Sequence, residues 1–295
     1  MSKGDYLNSK KHRDEHSSWN GRRGFLKTLG LAGAGAISFG NNSLSVINSN
    51  FITNALKNTF SDRCLVLIRL KGGNDGLNTI VPLYDYDTYI SKRPKINIPS
   101  SNIIKFNDKF GIPNFMSDVE NIWKDGNMKV VHGVGYENPN GSHFKSSDIW
   151  ATASQDPEIS TGWLGRYYDE KYLDYLTNPT EKPLAIQIGS RGNLIFNGAS
   201  TAYAFAVSSP ERLKKVAENG TLFGTSNLPN CTHGDQLEFL RRISNATFSY
   251  ASVIHEAYNN SEDFNQYDSK NNLDKQLSLV SRLIKGNLGT KIYMV

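Results

Sequence analysis

The stretch Cys64-Leu-Val-Leu-Ile-Arg-Leu-Lys-Gly-Gly-Asn-Asp-Gly-Leu-Asn-Thr79 decides the fold class of this chain. Its first seven residues form an apolar run broken by one charge, Arg69. A run of that kind suits a strand covered on both faces, the situation of parallel strands in α/β proteins. The paired glycines after it allow a tight turn at the end of the strand. Working outward, Lys129-Val-Val-His-Gly-Val134, Leu184-Ala-Ile-Gln-Ile188 and Lys291-Ile-Tyr-Met-Val295 predict three further strands. Between them the pattern turns helical. Pro113 opens a predicted helix with Phe115, Val119, Ile122 and Trp123 on one face, and Gly126 ends it. Further helices are predicted over 142–153, 163–176, 210–218, 236–258 and 273–285, the last with Leu273, Leu277, Val280 and Ile284 on a face. Strands separated by helices imply an α/β domain with a mostly parallel sheet flanked by helices.

A formal charge of +5 and a pI near 9.0 suggest a nucleic-acid partner at first sight, but the charge is unevenly placed. Residues 1–28 hold seven Lys or Arg against three Asp or Glu, a surplus of four out of five. The body is near neutral and has no basic stripe interleaved with aromatics, so no nucleic-acid partner is expected. The basic segment instead reads as a leader. Gly21-Arg-Arg-Gly-Phe-Leu-Lys-Thr28 carries the twin-arginine pattern at Arg22, Arg23, Phe25, Leu26 and Lys27, with Gly21 where Ser or Thr is usual. The weakly apolar Leu29–Phe39 is shorter than the roughly 20 residues a membrane span requires. A charged start, a short apolar stretch and small residues around Ala34-Gly-Ala36 make an export signal. The expected organisation is a signal over 1–40, an Asn- and Ser-rich linker over 41–62, and the folded domain over 63–295. The expected partner is the twin-arginine translocase, with no transmembrane anchor after cleavage and a periplasmic or extracellular location.

Three segments carry candidate chemistry. In Leu70–Thr79, Asp75 stands after the first strand, where a carboxylate is a good hard ligand for a divalent metal, and Asn74, Asn78 and Thr79 offer neutral oxygens. The alternative is a Gly-Asn-Asp turn whose side chains cap it. No Gly-Lys-Ser/Thr ending is present, so it is not a phosphate-binding P-loop. In Asn138–Trp150, Ser142 stands at a predicted helix start, where free N–H groups favour an anion. There Ser142 is a candidate nucleophile, His143 a ligand or proton donor, and Asp148 its orienting partner. The alternative is a plain N-cap followed by a first-turn residue. In Thr161–Tyr168, Arg166 is a candidate clamp for an oxyanion, with Trp163 and Tyr167 read as packing. His132, His233 and His255 read as structural or surface residues, and Cys64 and Cys231 as free thiols, with one disulfide as the alternative. The absence of a G-x-S-x-G elbow disfavours an α/β-hydrolase triad.

The leader, Gly72-Gly-Asn-Asp-Gly-Leu-Asn-Thr79, Gly141-Ser-His-Phe144 with Asp148-Ile-Trp150, and Gly162-Trp-Leu-Gly-Arg166 occur in this order. Over roughly residues 20–295 the chain thereby resembles the bacterial domain of unknown function 1501 family, itself similar to the alkaline phosphatase and sulfatase superfamily. The resemblance implies an alkaline-phosphatase-like, metal-bearing α/β fold. It also implies an acidic ligand after the first strand, matched by Asp75, and a Ser or Thr nucleophile at a helix start, matched in placement by Ser142. It implies a divalent metal, with zinc, calcium, magnesium and manganese left undistinguished, and an anionic ester as substrate. The family continues past a strand resembling Lys291–Val295 into Asp- and His-containing loops. That comparison, and the chain's stop on an apolar segment, lead us to expect a C-terminally truncated fragment with at most half a site. The expected function is a metal-dependent phosphoric or sulfuric ester hydrolase when full length. The alternatives are a non-catalytic exported binding or assembly protein that keeps the fold, or the inactive product of a truncated gene.

Overall fold

The computed structural model describes residues 63–70, 73–139, 141–189, 192–226, 228–262 and 270–295. The leader and linker expected over 1–62 lie outside the described residues. The chain divides into two compact units. One combines Ser147–Val295 with the described residues up to Arg69, and the other is Leu70–Ser146.

The larger unit is built on a four-stranded parallel sheet. Its strands are β1 (Leu65–Leu67), β5 (Ala185–Ile188), β6 (Ala204–Val207) and β7 (Ile292–Met294), in the order β1-β7-β5-β6. The α/β class expected from the sequence is therefore present. Alternation along the strands divides the core in two. Ile186, Ile188 and Tyr293 face helices α7 (Thr232–Asn259) and α8 (Asn272–Lys285), meeting Ile254, Val280 and Leu283. Ala185, Ile292 and Met294 face the other way, toward Leu164 and Tyr168 of α5 (Trp163–Lys171) and toward Ile195 and Phe196. Helices on both faces explain why the strands read as continuous apolar runs. Helix α4 (His143–Thr152) starts in the smaller unit and ends in the larger, and α6 (Pro210–Asn219) packs on α7.

The smaller unit holds a three-stranded antiparallel sheet that the sequence pattern does not suggest. It comprises β2 (Val81–Pro82), β3 (Ile103–Lys105) and β4 (Phe110–Pro113), in the order β2-β4-β3. Around it lie α1 (Gly76–Thr79), α2 (Tyr86–Lys92) and α3 (Asp118–Lys124). Sequence expectations change here and in α8. Lys129–Val134 is not a strand: it makes no ladder, and Val131 and Val134 are 76% and 80% exposed. His132 within it packs edge-on against Phe110, at 4.5 Å between ring centroids. The helix expected from Pro113 starts later, at Asp118, and its apolar face divides: Trp123 stacks on Phe106 at 4.7 Å, while Phe115 and Ile122 point outward. In α8 the core face is Leu279, Val280 and Leu283, with Ile284 on the exposed side.

Leu283 is fully buried between α8 and the sheet, whereas Leu173 is 90% exposed. Leu283→Ala is expected to cost about 2–5 kcal/mol through lost burial and the cavity left behind. Leu173→Ala is expected to stay within about 0.5 kcal/mol. Urea unfolding of both variants checks the layering.

Candidate functional site

The glycine turn and the start of α4 meet within the smaller unit. Gly73 adopts a φ of +90°, open to glycine and strained for other residues. A methyl group built on it would lie 3.0 Å from Cε1 and 3.1 Å from Nε2 of His143. The imidazole thus lies directly on the turn, which brings together two of the segments singled out from the sequence, and the missing side chain makes room for it. Ser142 precedes α4. Its Oγ accepts from the Lys145 N–H at 3.4 Å and its carbonyl from the Ser146 N–H at 3.0 Å, the pattern of an N-cap. The Tyr136 and Ser146 hydroxyls are 2.7 Å apart, tying the incoming loop to the first turn of the helix. Asp148 is five residues beyond His143 on α4, about 140° around the helix, and so is not placed to orient its ring.

The turn itself is closely self-bonded. Asp75 caps α1, with Oδ1 accepting from the Asn78 N–H at 3.3 Å. Its Oδ2 is held by the Arg93 guanidinium. The Asn74 side chain and the Thr79 hydroxyl bond each other at 3.0–3.1 Å. Asn78 is engaged at both ends: Nδ2 donates to the Ile96 carbonyl at 2.7 Å, and Oδ1 accepts from the Tyr89 hydroxyl at 2.6 Å. The capping that the alternative reading describes is therefore present. As arranged, these donors do not fit a divalent cation, because the Asp75 carboxylate faces a guanidinium and the Asn78 carbonyl oxygen faces a hydroxyl donor. Among the described residues, no group of three or more His, Cys, Asp or Glu side chains converges on one point. Arg93 and Tyr89, which organise the turn, are not among the residues nominated from the sequence.

Arg166 belongs to the larger unit. Its Nη1 donates to the Thr161 carbonyl at 2.6 Å and its Nη2 to the Thr152 carbonyl at 2.7 Å. These bonds pin the loop between α4 and α5, and partial burial lowers the guanidinium pKa from its ordinary value. Cys64 and Cys231 are not joined in a disulfide. No described helix is long and apolar enough to cross a membrane.

No family model, curated protein or solved structure matches the chain.

Asp75→Ala removes both the cap and the ion pair, whereas Asp75→Asn keeps a capping oxygen. The Ala variant is expected to lose about 1 kcal/mol or more and the Asn variant about 0.2–1 kcal/mol, because the pair is partly exposed. Equal losses in urea unfolding would show that the cap contributes nothing.

Proposed function

We propose that this chain is an exported α/β protein of alkaline-phosphatase-like build that engages a phosphoric or sulfuric ester beside the turn at Gly73. The supporting observation is the His143 imidazole lying on Gly73 at the start of a ten-residue helix, with Ser142 the residue before it as the N-cap. Unbonded N–H groups at a helix start attract an anion, and an imidazole beside them supplies a hydrogen bond or a proton. On this reading Ser142 meets or attacks the ester and His143 assists, while Arg166 acts by fixing the loop behind α4. The divalent metal implied by the resemblance has no fitting ligand set at Asp75 and Asn78, so no step is assigned to it.

A second reading, an exported binding protein without catalysis, is favoured by one observation. Asp75, the residue matched to a metal ligand, is committed to Arg93 and to its helix cap.

The full-length protein, assayed with p-nitrophenyl phosphate and p-nitrophenyl sulfate with and without added divalent metals, separates the two readings. Under the first, His143→Ala lowers turnover by about a hundredfold, the scale of a lost general acid or base. Under the second, the full-length wild-type protein binds phenyl phosphate in calorimetry without turnover, and His143→Ala weakens that binding. Neither turnover nor binding would remove both.

Export is proposed from Arg22 and Arg23, outside the described residues. Replacing both with Lys keeps the charge but removes the guanidinium forks, and is expected to leave the protein in the cytoplasmic fraction. Unchanged export on cell fractionation would sink the twin-arginine assignment.

A further inference from the structure

A cavity of about 380 Å³ opens in the larger unit at the end of the sheet where β5 and β7 begin. It lies at the amino ends of these strands, and none of its lining residues belongs to the cluster around Gly73. The size falls within the range of about 300–1,000 Å³ typical of small-ligand sites. Its walls combine two chemistries. Tyr167, Tyr168 and Tyr172 supply aromatic surface, and Lys171, Lys182 and Lys291 supply positive charge against one carboxylate, Glu181.

The cations are placed by the fold. The Lys171 ammonium lies 5.6 Å and 5.9 Å from the ring centroids of Tyr167 and Tyr172 and donates to the Tyr167 hydroxyl at 3.2 Å. Lys182 lies across Gly289, whose φ of +80° and missing side chain admit it: a methyl group there would be 3.0 Å from Nζ. Tyr168 is buried, and its hydroxyl donates to the Leu184 carbonyl at 3.1 Å, so this ring is fixed. Tyrosine faces pack flat rings at low entropic cost, and a lysine acts as a point charge for a carboxylate or phosphate.

We propose that this cavity binds a small six-membered-ring compound bearing one anionic group, the ring against Tyr167 and Tyr172 and the anion between Lys171 and Lys182. A uronic sugar and an aryl acid share that chemistry. Calorimetry of the intact chain with glucuronate and with benzoate, against glucose and phenol as neutral counterparts, distinguishes the two sources. At least one acid is expected to bind, about tenfold or more tighter than its neutral counterpart. The exposed Lys171→Gln and Lys182→Gln changes, with the fold checked by circular dichroism, are expected to reduce that affinity about tenfold together, and Tyr172→Leu to reduce it independently. No heat from either acid, or an acid affinity unchanged in the double lysine variant, would overturn the proposal.

Discussion

The larger unit depends on the seating of β7. This is the last strand in the sequence, yet it lies between β1 and β5 and is covered on both faces. Among the described residues, β1 pairs with β7 alone. Leu65 donates to the Lys291 carbonyl at 2.8 Å, Val295 to the Leu67 carbonyl at 2.9 Å, and Arg69 to the Val295 carbonyl at 2.9 Å. Register is fixed as strictly as pairing. A slip of one residue would send Tyr293 toward the face that Ile292 and Met294 fill, and the reverse. The partners are separated by most of the chain. Loop-closure entropy grows only logarithmically with that separation, so the cost falls more on folding rate than on stability.

Electrostatics set what the turn after β1 can do. At an effective dielectric of 20, two unit charges 4 Å apart interact by about 4 kcal/mol, and a divalent cation beside a guanidinium feels about twice that as repulsion. With Arg93 on Asp75, a cation at that carboxylate must first displace the arginine and break the α1 cap. The His143 side of the turn carries no such conflict, because the imidazole rests on a glycine and Ser142 is placed by helix geometry.

Legibility in the sequence followed periodicity. Strands β1, β5 and β7 are apolar runs, α7 and α8 carry helical spacing over several turns, and α4 is marked by Ser142 at its start, so their presence is readable. β6, Ala-Phe-Ala-Val, is too short and too rich in Ala to stand out. β2 and β4 contain Pro82 and Pro113, residues that argue against a strand unless it is short or ends there. Val130, Val131 and Val134 misled in the opposite direction, because β-propensity reports fit to a half-buried pleated surface, and this segment has no such surface to join. In the site, Ser142 at a helix start and the Asp75 cap follow local rules. Arg93 is 18 positions from Asp75, and a pairing at that distance leaves no periodic trace.

The second core shows how one short segment can serve packing and surface chemistry together. On α5, Tyr168 turns inward, with its ring 5.3 Å from that of Tyr203, and Tyr175 lies 5.0 Å beyond. Aromatic cores of this kind need partners for their hydroxyls. Tyr203 finds Asp169 at 2.7 Å, and Tyr175 finds Tyr250 at 3.2 Å. Burial raises the pKa of each of Tyr168, Tyr175 and Tyr203, so the hydroxyls remain neutral across the physiological range. Tyr167 and Lys171 are four residues apart on the adjoining face of the same helix, with Tyr172 as its C-cap. That phase difference places an ammonium and two rings at the rim of a cavity whose wall is the fixed Tyr168. The segment Tyr167-Tyr-Asp-Glu-Lys-Tyr172 thus builds the core with one face and the cationic, aromatic rim with the next.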